Sequence, residues 1–330
     1  MDINLPLNLV RVTEAAAIRS FRYMGLGDKN AADQAAVDAM HLIFNGLDMD
    51  GTVVIGEGEI DEAPMLYIGE KLGTGREGSV KLDIAVDPVE GTNLVAKGQN
   101  NAISVIAAAP KGCLLNAPDM YMEKIACGPE GVGSIHLDLP IEENIRRIAK
   151  IKNKEISETI VMVQDRARHK DLVEKIRNYG SRVKLFNDGD VNSSISTCFK
   201  RSGVDLFVGI GGAPEGVISA AAIKSLGGLF QGRLKPRNDE EISRCKTMGI
   251  NDINKLLSLD DLVKGNEALF AATGITDGEF LNGVVQYPNN TVKTHSIMLR
   301  AETGTIRFVE ALHKLDNKPQ LSPRNSNWRK

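Results

Sequence analysis

The sequence has few aromatic residues, few cysteines and no marked excess of either charge. Aromatic residues make up 5% of its 330 residues, and Trp328 is the only tryptophan. The formal net charge is −3 at pH 7, which gives no reason to expect a nucleic-acid partner or a polybasic membrane contact. The four cysteines are scattered and form no CxxC pair, so we expect reduced thiols in a cytosolic protein rather than a zinc site or a disulfide framework.

Long apolar runs are absent as well. The first residues have no basic segment followed by an apolar one, so we expect no signal peptide. No window approaches the roughly 20 apolar residues that a membrane-spanning helix needs. The 42% of hydrophobic and 25% of charged residues are typical of a globular protein, and 330 residues predict two domains or one large layered domain. We therefore expect a cytoplasmic protein without membrane contact.

The first half of the chain predicts helices and short strands in alternation. Apolar spacing predicts one helix from Val10 to Met24, and the capping residue Asp28 and the stop residue Gly46 bound a second. In the strand 81–87 the even-numbered apolar residues should face one way and the odd-numbered residues the other. The other predicted elements of this half are strands at 52–55, 103–109 and 121–126 and helices at 64–72 and about 141–152.

The second half predicts an α/β layer. Helical stretches alternate with β-like runs at 158–163, 182–186, 204–210 and 228–234, a pattern that favours parallel strands. Two more strands are predicted between Val292 and Leu312. We place a domain boundary near residue 157, which gives an N-terminal α+β domain (1–157) and a C-terminal α/β domain (158–330) whose tail from about residue 318 is expected to fray.

The strand predicted at 81–87 runs into the segment DPVEGTN (87–93). Pro88 biases Asp87 towards an extended conformation and cannot donate in a β-ladder, so the strand should end there. Glu90 follows within one turn, and Thr92 and Asn93 could open a helix that faces an anion. Two carboxylates this close would repel unless a cation such as Mg²⁺ lies between them. The alternative is an acidic turn that caps a helix.

Further acids precede this segment in the chain. Glu57, Glu59 and Asp61 alternate after a β-like run and would point the same way if the chain stays extended. The alternative is a solvated acidic loop. Asp33 lies one helical turn after Lys29, so both share a helix face, and a plain surface ion pair is the alternative there.

Three loops of the second half each follow a predicted strand. They contain Arg166, Ala167 and Arg168, the segment NDGD (187–190), and the segment GIGGAPEG (209–216). All three could converge on one edge of one sheet, as ligand-binding loops do in α/β layers. GIGGAPEG matches neither the dinucleotide-binding nor the P-loop pattern, which makes a nucleotide site a poor interpretation. The alternative for each loop is ordinary turn chemistry.

Taken in order, the motifs resemble a known family. GDKNAAD (27–33), GEGEIDEAPML (56–66), DPVEGT (87–92), RAR (166–168), NDGD (187–190) and GGAPEG (211–216) resemble the GlpX-type class II fructose-1,6-bisphosphatases, a branch of the lithium-sensitive, metal-dependent phosphatases. Glu90 departs from the inositol monophosphatase pattern, which has a second Asp there. The resemblance implies a layered α/β/α/β/α sandwich of two domains, Mn²⁺ or Mg²⁺ as cofactor, a cytosolic location and a homo-oligomer (dimer or tetramer).

The resemblance also implies roles for individual residues. Its metal ligands would be Asp33, Glu57, Asp87, Glu90 and Glu215. Its substrate contacts would be Lys29, Glu90, Gly91, Thr92, Tyr121, Arg166, Ala167, Arg168, Asp188, Gly189, Asp190 and Gly212. The catalytic residues that the resemblance implies are Thr92, Glu57 and Asp61. Three of the named positions, Lys29, Glu59 and Asp61, fit the family pattern less closely.

The implied reaction is hydrolysis of the 1-phosphate of fructose 1,6-bisphosphate. A metal-activated water would attack phosphorus in line, oriented by Thr92, with Glu57 or Asp61 as proton acceptor. Arg166 and Arg168 would bind the other phosphate, and NDGD would bind sugar hydroxyls. The alternatives are hydrolysis of sedoheptulose 1,7-bisphosphate or inositol monophosphate, or a non-catalytic scaffold that uses its acids for a structural cation.

Overall fold

The structure, a computed structural model, describes residues 4–58 and 65–321 and shows a mixed α/β protein with two sheets. The helices within these residues are α1 (Leu5–Ser20), α2 (Lys29–Phe44), α3 (Thr92–Lys97), α4 (Ile141–Ile151), α5 (Lys170–Asn178), α6 (Asp190–Ile195), α7 (Ala213–Leu226), α8 (Asp239–Thr247) and α9 (Leu259–Leu262). The strands are β1 (Asp50–Ile55), β2 (Lys71–Leu72), β3 (Lys81–Glu90), β4 (Ile103–Pro110), β5 (Tyr121–Cys127), β6 (Ile160–Gln164), β7 (Arg182–Phe186), β8 (Leu206–Gly212), β9 (Leu229–Lys235), β10 (Leu269–Gly274), β11 (Val285–Tyr287), β12 (Thr291–Arg300) and β13 (Thr305–Lys314).

The larger sheet has eight strands in the order β11-β12-β10-β4-β3-β1-β2, and β13 pairs with β12. Only β1 and β3 run parallel; the other neighbours are antiparallel. Leu82, Ile84 and Val86 on β3 pack with α1 and α2 in one core cluster, whereas Ala85 packs in the cluster around α7 on the other face. The predicted alternation along this strand is therefore confirmed.

The smaller sheet has five strands in the order β7-β6-β8-β5-β9. The predicted parallel pairing is confirmed for β6 with β7 and β8, while β5 runs antiparallel to both β8 and β9. Ile145 of α4 and Ile176 of α5 pack against strands of this sheet. Helix α7 contacts β3, β4 and β10 of the larger sheet and β5, β8 and β9 of the smaller one, so it joins the two sheets.

The predicted helix at 64–72 is wrong for the residues that the structure describes. Residues 65–70 form turns, and β2 follows at Lys71. Leu66 and Gly69 have φ angles of 57° and 94°, which no helix allows. The segment instead folds back on β1, because Gly69 N donates to Val53 O at 2.7 Å and Glu57 N donates to Leu66 O at 3.0 Å. Pro64 lies outside the described residues.

The chain does not pass from one sheet to the other at the predicted boundary near residue 157. The chain enters the smaller sheet with β5 at Tyr121 and returns to the larger sheet with β10 at Leu269. The division into domains stays a prediction.

Leu321, within the tail predicted to fray, is 4% exposed, and its carbonyl accepts a hydrogen bond from Arg22. Trp328 lies outside the described residues. Within the described residues, every helix is too short or too polar to cross a bilayer.

Candidate active site

The segment DPVEGTN covers the end of β3, the residue Gly91 and the start of α3, and we call it the acidic turn. The prediction that the strand ends at Asp87 is wrong, because β3 continues to Glu90. The ladder between β3 and β4 is interrupted between Asp87 and Glu90, where Pro88 has no N–H to donate. Asp87 Oδ1 accepts a hydrogen bond from Val89 N at 3.0 Å, and the Thr92 hydroxyl donates to Val89 O at 3.0 Å. Gly91 has a φ of 92°, in the left-handed region, and this reversal starts α3 at Thr92.

The two acids of this turn, the half-buried Asp87 and the buried Glu90, share a hydrogen bond. Burial raises the pKa of Asp87 to about 8, and the nearby charge of Glu57 adds to the shift. Glu90 is 4% exposed, and burial together with Asp87 raises its pKa well above the usual range. Its Oε1 also accepts a hydrogen bond from Val191 N at 2.6 Å. Both carboxyl groups are therefore more stable when they are protonated or when a cation is bound beside them.

A second pair of acids faces the same space. Glu57 follows β1, and Asp33 lies in the second turn of α2; their side chains share a hydrogen bond. Burial, reinforced by the charge of Asp33, raises the pKa of Glu57 to about 8. Burial also raises the pKa of Asp33. Asp33 thus contacts another acid, a contact that a plain surface ion pair with Lys29 would not include.

Glu215 contributes a fifth carboxylate from the first turn of α7. Its Oε2 is buried and has no hydrogen-bond partner. Burial raises its pKa, and the positive charge of Lys124 opposes that shift. A Cβ at Gly212 would overlap Glu215 Oε2, so the glycine of the GGAPEG motif makes room for this carboxylate.

Four of the five carboxylates, those of Asp33, Glu57, Asp87 and Glu215, border one cavity of about 450 Å³, whereas Glu90 is not among the residues that line it. Among the predicted site residues, those that line it are Lys29, Asp33, Glu57, Asp87, Thr92 and Glu215. Asn30, Asn93 and Asp119 line it too and were not predicted. Asn30 and Asn93 lie inside motifs that the sequence singled out, so their position was a usable signal, whereas no pattern around Asp119 distinguishes it. Glu59 and Asp61 lie outside the described residues.

The chemistry of these residues fits a hard divalent cation. No group of three or more Asp, Glu, His or Cys side chains in the described part of the chain stands ready to hold a metal ion. The donors are nevertheless all oxygen atoms, and one of them, Glu215 Oε2, is buried without a partner. Burial and the charges of neighbouring acids raise the pKa values of Glu57 and Asp87. A cation bound beside them would favour the ionised carboxylates.

The arginines predicted to bind phosphate lie after β6. The Arg168 guanidinium donates to Ile210 O at 2.9 Å and to Gln164 Oε1 at 2.7 Å, and it lies 4.9 Å from the centre of the Tyr121 ring. All three partners are neutral, so these contacts orient Arg168 without cancelling its charge. Arg166 is exposed and donates to Asp165 O at 3.2 Å.

His169 fixes the arginine loop to β8. Its Nε2 accepts a hydrogen bond from Ile210 N at 2.8 Å, so the ring is neutral and its Nδ1 donates to Gln164 O at 2.8 Å. Burial lowers the pKa of His169, which keeps this neutral form. Ala167 begins the short 3₁₀ turn that carries Arg168.

Tyr121 connects the arginine loop to the acids. It pairs with Gly212 across β5 and β8, next to the space that Glu215 fills. A further arginine that the sequence did not single out, Arg237, has its guanidinium 5.3 Å from the Tyr121 ring centre. Tyr121, Arg168 and Gly212 therefore lie together at one end of β5 and β8.

The NDGD loop lies against the acidic turn, the segment DPVEGTN. Asp188 Oδ2 accepts a hydrogen bond from Asn93 Nδ2 at 3.1 Å, and Gly189 has a φ of 90° that turns the chain into α6. The carboxylate of Asp190 points to the buried ammonium of Lys124, with which it forms an ion pair. The structure thus brings Asp188 to the turn and places Asp190 on a lysine that the sequence did not single out.

An α/β fold with an acidic, oxygen-lined cavity at the end of β3 is typical of a metal-dependent hydrolase of phosphate esters. A family model described as bacterial fructose-1,6-bisphosphatase, glpX-encoded, matches residues 3–313. The chain belongs to this family, the class II fructose-1,6-bisphosphatases of the GlpX type, which are phosphoric monoester hydrolases and metal-dependent. The resemblance inferred from the six motifs is confirmed.

Relatives match over almost the whole chain. The chain is 47% identical to fructose-1,6-bisphosphatase 1 class 2 of Escherichia coli, over 96% of this chain and 97% of the relative. It is 47% identical to the class 2 fructose-1,6-bisphosphatase of Haemophilus influenzae, over 96% and 98% of the two chains. It is 45% identical to the D-fructose 1,6-bisphosphatase class 2/sedoheptulose 1,7-bisphosphatase of a Synechococcus strain, over 98% and 99%.

Proposed function

We propose that the chain hydrolyses the 1-phosphate of fructose 1,6-bisphosphate to fructose 6-phosphate and inorganic phosphate, as a step of gluconeogenesis. The observation that carries this proposal is the cavity in which Thr92 stands among Asp33, Glu57, Asp87 and Glu215. Family membership supports the substrate.

Asp33, Glu57, Asp87, Glu90 and Glu215 would hold Mn²⁺ or Mg²⁺. Such a cation neutralises phosphate oxygens and supplies a water of lowered pKa. The unpartnered Oε2 of Glu215 and the protonation that the other acids favour support this assignment.

Thr92 orients the attacking water. Its hydroxyl already donates to Val89 O, so its oxygen is left to accept a hydrogen bond from a water in the cavity. The lone pair of that water then points towards phosphorus. Glu57 or Asp61 would take the proton that the water loses.

The second phosphate is held outside the acidic cavity. Arg168, which contacts the neutral groups Ile210 O and Gln164 Oε1, and the exposed Arg166 would bind it, since planar guanidinium groups suit phosphate oxygens. Tyr121 and Gly212, beside Arg168, would line the path between the two phosphates. The NDGD loop would contact the sugar hydroxyls through Asp188, Gly189 and Asp190.

The finer architecture belongs to the same proposal. We assign a five-layer α/β/α/β/α sandwich of the sugar-phosphatase type with two domains. The contacts of α7 with strands of both sheets, and the packing of α1 and α2 on the larger sheet, support this order of layers. We further propose a homo-oligomer, a dimer or tetramer, that works in the cytoplasm.

Sedoheptulose 1,7-bisphosphate is the second candidate substrate. The relative from Synechococcus, 45% identical, carries both activities in its name. Both sugars present two phosphates, so the paired arginines suit either one. A direct comparison of the two substrates decides between them.

The proposal is tested by measuring phosphate release from fructose 1,6-bisphosphate without metal, with Mn²⁺ and with Mg²⁺. Release should require metal, and Thr92→Ala should lose most of kcat, about a hundredfold or more, while KM stays within a few-fold. Thr92→Ser keeps the hydroxyl and is the matched control. Metal-independent release, or a Thr92→Ala variant with near-normal kcat, would contradict the proposal.

A further inference from the structure

A charged lysine is buried in the middle of the smaller sheet. Lys124 lies on β5, opposite Gly209 of β8 and Gly232 of β9, and only 1% of its surface is exposed. Its Nζ donates to Oδ2 of Asp190, which begins α6. A lysine this deep requires a counter-charge, because an unpaired ammonium loses its hydration without compensation.

Two adjacent glycines make room for the acids around this lysine. A Cβ at Gly211 would lie 2.5 Å from Oδ2 of Asp190, and a Cβ at Gly212 would overlap Oε2 of Glu215. The segment GGAPEG therefore meets the segment NDGD at Lys124.

The acidic turn (residues 87–93) holds the first turn of α6 from the opposite side. Val191 N donates to Glu90 Oε1 at 2.6 Å, and Asp188 Oδ2 accepts from Asn93 Nδ2 at 3.1 Å. Lys124 thus adds an ion pair that holds the loop from the side of the smaller sheet. Without it, Asp190 would be a buried carboxylate without its cation, and the loop would have to move to hydrate it.

We propose that Lys124 is a positioning residue for the substrate loop Asn187–Asp190. It acts through Asp190 and sets the place of the loop that contacts the sugar, so it governs the binding of sugar phosphate rather than the chemical step. The inference rests on the proposed function, because it assigns the sugar to this loop. It adds a determinant on β5 that no motif of the sequence contains.

The test is a double-mutant cycle with Lys124→Met, Asp190→Asn and the double variant. Lys124→Met should raise KM for fructose 1,6-bisphosphate by about tenfold or more and leave kcat within about threefold. The double variant should lie within about threefold of the worse single variant, because both changes remove the same contact. The double variant replaces an ion pair by two neutral side chains, so it remains informative if Lys124→Met fails to fold.

Lys152→Met is the matched control. Lys152 also pairs with an almost fully buried acid, since the side chain of Asp205, directly before β8, is 2% exposed; Lys154 pairs with the same carboxylate. The loss of Lys152 should lower the melting temperature and leave KM within about twofold, because neither Lys152 nor Asp205 lies on the substrate loop. A purely structural role of Lys124 would give the same pattern as Lys152.

Binding is measured separately from turnover, as the rise in melting temperature that fructose 1,6-bisphosphate causes in EDTA. We expect a rise in the wild type that shrinks in Lys124→Met and in Asp190→Asn and is retained in Lys152→Met. Effects that multiply in the double variant, an unchanged KM in a folded Lys124→Met, or a wild type that the sugar phosphate does not stabilise would each overturn the inference. A wild type that binds but releases no phosphate overturns the proposed function alone.

Discussion

Glu90, at the end of β3, accepts a hydrogen bond of 2.6 Å from the backbone N–H of Val191, in the first turn of α6. Glu90 is also hydrogen-bonded to Asp87, so one buried carboxyl joins the acidic turn to the start of α6. A change that disturbs either partner should therefore reach both the metal site and the sugar-binding loop.

Two replacements of Glu90 distinguish the effect of its charge from the effect of its hydrogen bond to Val191 N. Glu90→Gln keeps an oxygen that accepts from Val191 N, so the metal-free protein should fold with near-normal stability, but the metal concentration for half-maximal activity should rise by about tenfold or more. Glu90→Ala should cost about a further 1–3 kcal/mol of unfolding free energy, because a buried N–H loses its acceptor. Urea unfolding in EDTA gives the comparison, and equal stability of the two variants would argue against this role of Glu90.

The acids of the cavity predict how the metal-free protein responds to pH. Burial raises the pKa of Glu57 and of Asp87 to about 8 in the folded state, from the usual 4.5 and 3.8. Between these limits the folded state binds more protons than the unfolded state, so stability should fall as pH rises and the loss should be complete above about pH 8. The melting temperature in EDTA should therefore fall as the pH rises from about 5 to about 8 and level off above pH 8.

Metal should reverse this trend, because a bound cation favours the ionised acids. The stabilisation by Mn²⁺ or Mg²⁺ should grow over the same pH interval. Asp87→Asn is the control, since it removes one of the two groups and should flatten the profile of the metal-free protein. A melting temperature that rises with pH in EDTA would show that these acids are ionised in the folded state without metal.

The sequence predicted the interruption of the β3 ladder because its cause is local, although it did not predict that the strand continues to Glu90. Pro88 has no N–H, so the ladder of β3 is interrupted after Asp87 whatever the rest of the chain does. The alternation along β3 is local in the same sense and was confirmed at Leu82, Ile84 and Val86.

Features that depend on distant contacts were not predictable in this way. β10 is a short apolar run that could be a strand in either sheet, and its place beside β4 follows from packing against residues far away in the chain. Leu66 adopts a positive φ because its carbonyl is held by Glu57 N, which no propensity of residues 64–72 reveals. Lys124 looks like an ordinary polar residue of an exposed strand face, and only the packing of α7 and α6 shows that it is buried.

Gly212→Ala should weaken the metal site without unfolding the protein. Gly212 has a φ of −66°, which alanine adopts without strain, but the new Cβ would overlap Oε2 of Glu215. The carboxylate at the end of a flexible side chain must therefore move. We expect the metal concentration for half-maximal activity to rise by about tenfold, with a melting temperature in EDTA close to that of the wild type.

Gly46→Ala is the matched control for this change. A Cβ at Gly46 would meet only Ile43 O, at 3.6 Å, which is an ordinary contact. Metal activation should be unchanged in that variant. Normal metal activation in Gly212→Ala would mean that Glu215 is not needed as a ligand.

Arg168 should decide whether the enzyme distinguishes a bisphosphate from a monophosphate. Its guanidinium is oriented by Ile210 O, Gln164 Oε1 and the ring of Tyr121, all of them neutral, so its charge remains to be matched by a phosphate. Arg168→Met should raise KM for fructose 1,6-bisphosphate by about tenfold or more and leave kcat/KM for fructose 1-phosphate within about twofold, since that substrate lacks the second phosphate. The exposed Arg146, paired with Glu143 on α4, provides the control variant Arg146→Met, for which neither substrate should respond. Equal losses with both substrates would instead place Arg168 in the support of Tyr121 and β8, because a lost structural contact does not depend on which phosphates the substrate carries.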